Sequence, residues 1–488
     1  MAHNKQQLFV DEHHNNHQKT NVLGTGGQGI VYRTSDSDIA IKLATIKDSE
    51  KPITNKVDIR NFQTKIQNLR LLPIPENINI TKPMAMLKDS AGYVMHLLNE
   101  MQPFSHFWHN PKAIRKIKNI PGWLEKIPEE SAKQLIHYSN TGGLRRRLSG
   151  LAKCASILSE LHSMGLIYGD ISAENVFISK YSESNELWLI DPDNIRFIKG
   201  GAKSGVYTPK YAAPELVQHI SGGSFETDCH SFAVLTFWIL TLNHPFIGDH
   251  VINGGADWAD DTVRDGDLDE KAYAGLLPWI DDEKDDSNYS DNGLPRSLVL
   301  TDKLRGLFQL TFGVGRTTPW KRPTIFHWPK ALMEAYDKTL QCIECKMSFY
   351  HKDDLKVCPF CGTKINELIT VRTYLYDEEN NKKKNLQWIF IREVTSNKIK
   401  IALPNRIFFP FSNKKFDVPI LEMYREESFI VLKKLEIDLD LYYVKGNSKT
   451  NWESLDIKNR LSISSLTKGI TLIAKENIPM LINIKKSR

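Results

Sequence analysis

The chain lacks the features that would indicate a secreted or membrane-inserted protein. Six cysteines among 488 residues are too few for a disulfide scaffold in a chain of this length. The longest apolar run, Phe232 to Leu242, is shorter than the roughly 20 residues that a bilayer-spanning helix needs. We interpret it as a buried helix. The first residues are polar, without the apolar stretch of a signal peptide, so we expect a cytoplasmic protein.

The chain also lacks a strong excess of charge of either sign. Its net charge of +6 is too small to indicate nucleic-acid binding by itself. Hydrophobic residues make up 41% and charged residues 25% of the sequence. Both values are ordinary for globular proteins and exclude wholesale disorder. A chain of this length predicts roughly two to four domains.

Four of the few cysteines form two CxxC pairs. They are Cys342, Cys345, Cys358 and Cys361, and 12 residues separate the pairs. Two tight thiolate knuckles supply four ligands for a tetrahedral, structural zinc ion. The competing interpretation, two disulfides, requires an oxidising compartment. We therefore predict a zinc ribbon over residues 336–364, used for packing or partner docking.

A glycine-rich segment near the beginning of the chain fits the pattern G-x-G-x-x-G-x-V. It runs Gly24-Thr25-Gly26-Gly27-Gln28-Gly29-Ile-Val31. A dinucleotide-binding turn shares this spacing but continues into a helix, whereas strand-like sequence follows here and leads to Lys42. Glycines let backbone amides close over phosphates without Cβ clashes, and a lysine on the next strand can neutralise the phosphates.

Two further sequence blocks contain aspartates at informative positions along the chain. Tyr168-Gly169-Asp170 is followed by Asn175, and Leu189-Ile-Asp191-Pro-Asp193 comes later. With the glycine segment, these blocks resemble the protein kinase superfamily, whose catalytic loop is H-R-D-x-x-x-x-N and whose metal motif is D-F-G. The resemblance implies that Asp170 orients the substrate hydroxyl, that Asn175 and Asp191 bind Mg²⁺, and that Lys42 contacts the ATP phosphates.

Later segments extend the resemblance and distinguish protein kinases from small-molecule kinases. Thr208 to Glu215 resembles the end of an activation segment, Asp228 lies in a block like the start of the long central helix, and Arg322 resembles the late arginine. The resemblance implies a buried Glu215–Arg322 ion pair and a structural role for Asp228. It also implies a set of ATP-binding residues: Gly24, Thr25, Gly26, Gly27, Gln28, Gly29, Val31, Ala40, Lys42, His96 and Leu98.

The sequence departs from the family pattern in three places. Tyr168-Gly169 replaces His-Arg, so the enzyme would be of the non-RD type, and Pro192-Asp193 replaces the Phe-Gly of D-F-G. We interpret Asp193 as a turn residue in preference to a metal ligand. The helix predicted over residues 58–72 contains no glutamate, so Lys42 either lacks its usual carboxylate partner or takes one from elsewhere. A pseudokinase scaffold is therefore an alternative.

The last segment, residues 365–488, alternates apolar and polar residues as antiparallel strands do. Residues 461–473 faintly resemble the end of a forkhead-associated domain, without that family's phosphopeptide-binding motifs. We expect a degenerate β-sandwich used for docking. The tail is also basic, so a nucleic-acid-binding regulator that acts through the zinc ribbon and tail is a further alternative, although we regard nucleic acid as an improbable partner.

The predicted architecture is an α+β, bilobal protein-kinase fold followed by a zinc ribbon and a β-rich domain. The predicted segments are a flexible leader at 1–19, a kinase domain at 20–335 (lobes about 20–97 and 98–335), the ribbon at 336–364 and the β-rich domain at 365–488. The ribbon and the Asp-Pro-Asp motif resemble bacterial Ser/Thr kinases associated with tellurite-resistance and stress gene clusters. That resemblance implies protein substrates, autophosphorylation, and a cognate phosphatase or von Willebrand-type partner.

Overall fold

The computed structural model describes ten stretches of the chain. They are residues 7–27, 29–46, 49–108, 110–198, 207–254, 265–394, 399–412, 416–436, 439–444 and 452–487. The chain divides into two compact units, which are considered separately: residues 1–113, 149–296 and 300–329 form the first, and residues 114–148, 297–299 and 330–488 form the second. The domain boundaries expected from the sequence remain a prediction.

The secondary structure combines short strands with helices of very different lengths. The helices are α1 Lys56–Arg70, α2 Pro111–Arg115, α3 Glu129–Asn140, α4 Gly143–Ser163, α5 Pro214–Val217, α6 Phe225–Thr241, α7 Asp249–Ile252, α8 Asp265–Tyr273, α9 Arg296–Val299, α10 Asp302–Phe308, α11 Gly315–Thr317, α12 His327–Asp337, α13 Asn405–Phe408 and α14 Ser464–Lys468. The strands of the first unit are β1 Leu8–Val10, β2 Asn16–Gly26, β3 Gly29–Thr34, β4 Ile39–Leu43, β5 Ala85–Met86, β6 Gly92–His96, β7 Met101–Pro103, β8 Leu166–Ile167, β9 Val176–Ser179, β10 Leu187–Leu189 and β11 Arg196–Phe197. Those of the second unit are β12 Thr339–Gln341, β13 Ser348–Tyr350, β14 Glu367–Asp377, β15 Lys382–Val394, β16 Lys400–Pro404, β17 Pro419–Glu426, β18 Phe429–Lys434, β19 Leu441–Val444, β20 Trp452–Ser454, β21 Lys458–Ser462, β22 Ile470–Ala474 and β23 Met480–Ser487.

A six-stranded sheet begins the first unit, in the order β1-β2-β3-β4-β6-β5. Alternate residues of its strands face inward because side chains of a strand point to opposite faces in turn. Ile30, Tyr32, Ile41, Leu43 and Val94 form its apolar core. This sheet presents the glycine segment on β2 and β3 and Lys42 on β4.

The flexible leader predicted for residues 1–19 is wrong from residue 8 onward. Strand β1 pairs with β2, and Phe9 is buried in the core of the sheet. Asp11 closes the turn, because its Oδ1 accepts hydrogen bonds from the backbone N–H groups of His13 (2.8 Å) and Asn15 (2.9 Å). The polar composition of the segment concealed one buried aromatic residue and one turn-forming aspartate.

The second half of the first unit is mainly helical and is organised around α6. Ser224 caps this helix: its Oγ accepts from the Thr227 N–H, and the Thr227 Oγ1 accepts from the Ser224 N–H. Nearly all of α6 is buried. The apolar run at Phe232 to Leu242 is thus a buried helix, as predicted. Among the described residues, no helix is both long and apolar enough to cross a bilayer.

The second unit is rich in β-structure after the cysteine segment. One sheet has the order β15-β14-β23-β22-β19-β20 and another the order β16-β17-β18-β21. The neighbours within both are antiparallel. The alternation of apolar and polar residues therefore predicted the β-rich tail correctly.

Candidate active site

The glycine segment forms the hairpin between β2 and β3, with Gly26 opposite Gly29. A Cβ at Gly29 would lie 2.4 Å from the Leu43 carbonyl oxygen, so the close approach of β4 requires glycine there. At Gly24, Gly26 and Gly27 an added Cβ would meet no atom of the described residues within 4 Å, apart from its chain neighbours. The protein's own packing does not require these three glycines, which fits a site kept open for a ligand. Gln28 lies outside the described residues.

Lys42 lies on β4 and is 4% exposed. Its Nζ donates hydrogen bonds to Asp191 Oδ1 and, at 2.7 Å, to Asp193 Oδ2. Burial works to lower the pKa of Lys42, but the carboxylates of Asp193 and Asp191 outweigh it and hold that pKa above its usual value. Lys42 is therefore a buried ammonium ion, and its carboxylate partners come from the Asp-Pro-Asp motif.

Asp193 lies in the 3₁₀ turn Pro192–Asn194, and its side chain is 2% exposed. Besides Lys42, it accepts a hydrogen bond from Tyr93 Oη at 3.0 Å. Burial works to raise its pKa, but Lys42 and the hydrogen bonds keep the pKa of Asp193 below its usual value. Asp193 does stand in a turn, as expected, but sequence reasoning missed its contact with Lys42. Two features of the sequence could have indicated this contact: helix α1 has no glutamate to pair with Lys42, and the Asp-Pro-Asp motif contains an extra carboxylate.

Asp191 has a left-handed backbone, with φ 57° and ψ 63°, a conformation that aspartate and asparagine tolerate better than most residues. Its side chain remains 22% exposed. Burial and the neighbouring Asp193 raise the pKa of Asp191, and Lys42 counteracts them. A strained, partly exposed carboxylate of this kind is typical of functional sites.

The predicted catalytic loop brings Asp170 and Asn175 together. Asn175 Nδ2 donates to the Asp170 carbonyl at 2.9 Å and to Asp170 Oδ2 at 3.2 Å. The backbone N–H of Ile190, the residue before Asp191, donates to the Asn175 carbonyl at 2.9 Å. Asp170 Oδ1 also accepts from Thr208 Oγ1 at 2.8 Å. The pKa of Asp170 is raised by burial and by Asp191, although the hydrogen bond from Thr208 opposes the shift.

Buried polar groups hold this loop in place. Asp228 accepts hydrogen bonds from the backbone N–H groups of Tyr168 (2.7 Å) and Gly169 (3.0 Å). Gly169 has φ 82°, and an added Cβ would lie 3.1 Å from Arg196 Nη1. The glycine that replaces the family's arginine therefore stands where the backbone favours glycine.

Glu215 and Arg322 form a buried, two-pronged ion pair, with N–O distances of 2.6 and 2.8 Å. Arg322 Nε also donates to the Gly315 carbonyl at 2.8 Å. Both side chains are nearly inaccessible, so the pair contributes to the architecture of the lobe and is not a ligand-binding feature.

The other residues expected to bind ATP lie on the same sheet or directly after its strand β6. Ala40 is fully buried on β4, Val31 is partly buried on β3, and Thr25 is exposed on β2. His96 is exposed at the end of β6, and Leu98 follows it, partly buried. Their contact with a nucleotide stays a prediction.

The donor set suits Mg-ATP. Mg²⁺ prefers oxygen ligands, which Asp191 and Asn175 would supply, while Lys42 and the open glycine hairpin would face phosphates. Oxygen ligands, a buried cation and an exposed glycine turn thus occur within one unit of the chain.

The four CxxC cysteines form a separate centre in the second unit. Their Sγ atoms all lie within 4.8 Å of one another, with 3.5 Å between Cys342 and Cys361 and 3.7 Å between Cys345 and Cys358. Four sulfurs at about 2.3 Å from a tetrahedral zinc would be about 3.8 Å apart, whereas a disulfide is about 2.05 Å. None of the four cysteines is disulfide-bonded in this structure, and the sulfur separations fit a tetrahedral zinc site better than two disulfides.

Comparison with known proteins agrees with this geometry. The protein kinase domain family model matches residues 17–263. A serine/threonine-protein kinase, pkn2 of Myxococcus xanthus, is 35% identical over 112 residues, which are 21% of this chain and 13% of the relative. Protein kinase C delta type of Mus musculus is 36% identical over 96 residues (19% and 14%), and calcium-dependent protein kinase 34 of Arabidopsis thaliana is 25% identical over 248 residues (49% and 42%).

The chain spans less than half the length of these curated relatives. The family model, however, covers just over half of the 488 residues. The match includes the glycine hairpin, Lys42, the catalytic loop and the Asp-Pro-Asp motif. The chain belongs to the protein kinase family.

Proposed function

We propose that this protein is a Mg-ATP-dependent serine/threonine kinase that phosphorylates a protein substrate or itself. The observation that carries the proposal is the grouping of Lys42, Asp170, Asn175 and Asp191 through direct hydrogen bonds and short backbone links. The name of one relative, the serine/threonine-protein kinase pkn2, supports the choice of hydroxyl acceptor.

In the proposed reaction the chain contributes positioning and charge. The hairpin amides and Lys42 would hold the phosphates, and Asn175 and Asp191 would hold Mg²⁺, which neutralises charge on the transferred phosphoryl group. Asp170 would accept the proton of the attacking hydroxyl as the new O–P bond forms and ADP leaves. The raised pKa of Asp170 suits a proton acceptor.

The two motif changes affect regulation in this proposal. Gly169 replaces the arginine that precedes the catalytic aspartate in the family pattern, so a phosphate on the activation segment would not meet that arginine. We therefore propose a non-RD enzyme with an altered D-F-G motif. We also propose a cytoplasmic protein in which the zinc ribbon and the β-rich tail, a degenerate relative of forkhead-associated domains, dock protein partners such as a cognate phosphatase or von Willebrand-type protein.

Radiolabelled phosphate transfer from ATP by the full chain tests the proposal. Wild-type protein should label itself or a generic protein substrate, and magnesium chelation should abolish the labelling. Asp170→Asn should lower the rate about 10²- to 10⁴-fold without changing the melting temperature, because the amide retains the shape of the carboxylate. A wild-type chain that binds nucleotide but transfers no phosphate to any substrate would establish the pseudokinase alternative.

A further inference from the structure

Helix α1 faces the Asp-Pro-Asp motif with the opposite charge from the one expected in this family. The helix contacts the turn Pro192–Asn194, and Phe62 stacks on Tyr93 with ring centroids 6.4 Å apart. Its charged residue near the motif is Lys65, which is close enough to act electrostatically on both Asp191 and Asp193. The helix thus supplies a cation here, and the carboxylate for Lys42 comes from another element.

We propose that Asp193 is the residue that positions Lys42 for the nucleotide phosphates, in place of a carboxylate on helix α1. The inference rests on the nucleotide site of the proposed function. It assigns Asp193 a role beyond the turn in which it stands, and it assigns helix α1 no direct part in holding Lys42.

The two aspartates of the motif differ in what they still offer to a ligand. Both oxygens of Asp193 are engaged, Oδ2 with Lys42 Nζ and Oδ1 with Tyr93 Oη, and the side chain is 2% exposed. Asp191 uses Oδ1 for Lys42 and keeps 22% of its side chain exposed. Asp193 is thereby committed to Lys42, whereas Asp191 can turn toward a metal ion.

One short segment positions both the lysine and the carboxylate that would bind the metal ion. Asp191 and Asp193 are two residues apart, so the same turn sets the position of the lysine and of the metal-binding carboxylate. Neither hydrogen bond of Lys42 involves a residue of α1, so that helix can act on the lysine only indirectly, through the turn and Tyr93 that it contacts. The assembled state of the lysine therefore depends on the motif and on Tyr93.

A double-mutant cycle on the full chain separates this role from the alternatives. The variants are Asp193→Asn, Lys42→Met and the double variant, and Tyr93→Phe is the matched control that keeps both charges and removes one hydrogen bond. Calorimetry measures the affinity for ADP and for a non-hydrolysable ATP analogue, each with Mg²⁺. Steady-state assays give kcat, the KM for ATP and the Mg²⁺ concentration at half-maximal rate.

Asp193→Asn should weaken binding of the ATP analogue about 10- to 100-fold, as expected for a lost charge-assisted hydrogen bond. In the Lys42→Met background, Asp193→Asn should weaken this binding by less than about twofold, because the lysine that Asp193 positions is absent. Tyr93→Phe should have a smaller effect, Asp193→Glu should recover part of the affinity, and the Mg²⁺ requirement should stay unchanged.

Three results would overturn the inference. Independent effects of the two substitutions would show that Asp193 acts without Lys42, a shifted Mg²⁺ requirement would make it a metal ligand, and unchanged binding would make it a turn residue. If Asp193→Asn does not fold, Asp193→Glu and Tyr93→Phe supply the same comparison. Since nucleotide binding is measured without phosphate transfer, an inactive wild-type chain would refute the proposed function alone.

Discussion

The two units each contain a buried cluster of charges, and the two clusters have opposite compositions. In the first unit one lysine, Lys42, faces the carboxylates of Asp191 and Asp193, with Asp170 nearby. In the second unit one carboxylate, Asp337, faces the guanidinium groups of Arg392 and Arg406. The first cluster has an excess of negative charge, and the second does not.

The cluster around Asp337 is closed. Asp337 is fully buried and accepts hydrogen bonds from Trp388 Nε1 (2.9 Å), Arg392 Nη2 (3.0 Å), and Arg406 Nε (2.8 Å) and Nη2 (3.0 Å). Burial works to raise the pKa of Asp337, but Arg406 and Arg392 hold it below its usual value. With its oxygens satisfied by the protein, this carboxylate has a structural role.

The comparison shows that burial of charge alone does not identify a functional site. The cluster around Lys42 differs by its surplus carboxylates, by the left-handed backbone of Asp191 and by the partial exposure of that side chain. Such a cluster can accept a cation from outside the chain, whereas the carboxylate of Asp337 is already balanced by two guanidinium groups of the chain. An Asp→Asn substitution should therefore mainly lower activity in the cluster around Lys42 and mainly lower stability in the cluster around Asp337.

The largest effect is expected for Asp191→Asn, which should lower phosphate transfer on the order of 10³-fold or more, because the substitution removes a proposed ligand of Mg²⁺. Stability should change little, since asparagine tolerates the left-handed backbone and Lys42 keeps Asp193. Phosphate-transfer rates and melting temperatures of the two proteins check this. A variant with normal Mg²⁺-dependent turnover would contradict the assignment of Asp191.

The second-largest effect is expected for removal of zinc, which should lower the stability of the protein. We expect one zinc ion per chain, held by Cys342, Cys345, Cys358 and Cys361, and chelation or Cys361→Ser should lower the melting temperature because binding and folding are linked. Elemental analysis and thermal unfolding measure both quantities. Cys154→Ala, at a buried cysteine outside the cluster, is the control and should retain the zinc. Purified chain without zinc would refute the site.

Asp337→Asn should destabilise the protein by about 3–5 kcal/mol. It leaves Arg392 without its counter-charge and leaves the buried Arg406 with only the half-exposed Asp417. The free energy of unfolding from denaturant titration measures this loss. Asp191→Asn, measured in parallel, tests the contrast between the two clusters directly. Equal stability losses for the two variants would remove the distinction between an open and a closed cluster.

The contribution of Asp337 should also depend on pH in a defined direction. Its folded-state pKa is lowered, so the unfolded chain takes up the proton first as pH falls. The stabilisation is present above the ordinary aspartate pKa, about 4, and is lost as pH falls through the lower folded value. The stability difference between wild type and Asp337→Asn should thus shrink below about pH 4. Acid release of zinc affects both proteins and therefore cancels in this difference. A stability difference that grows as the pH falls would contradict the lowered pKa of Asp337.

The smallest effect is expected for Asp417→Asn. Asp417 Oδ1 accepts from Arg406 Nη1 at 2.6 Å, but its side chain is 48% exposed. Solvent-screened pairs of this kind contribute at most about 1 kcal/mol. Denaturant unfolding should show a loss well below that of Asp337→Asn. If Asp417→Asn lost as much stability as Asp337→Asn, the cluster would depend equally on both carboxylates.

Motifs of local sequence were the most predictable part of this protein. The CxxC spacing predicted a cluster of four cysteines, and the glycine spacing predicted a hairpin, because in both cases a few neighbouring residues determine the geometry. The apolar run in α6 and the alternation in the tail predicted a buried helix and strands for the same reason. The leader was mispredicted because a single buried residue, Phe9, decides that β1 joins the sheet.

The sequence by itself determined the family, the order of its functional blocks and the identity of the groups available for chemistry. Only the tertiary structure decided which charges meet. Asp193 is separated by 151 positions from Lys42, and Asp337 by 69 from Arg406, and no local pattern specifies contacts across such distances. Those pairings depend on how strands and helices pack, because only packing removes water and makes each buried charge depend on a particular partner.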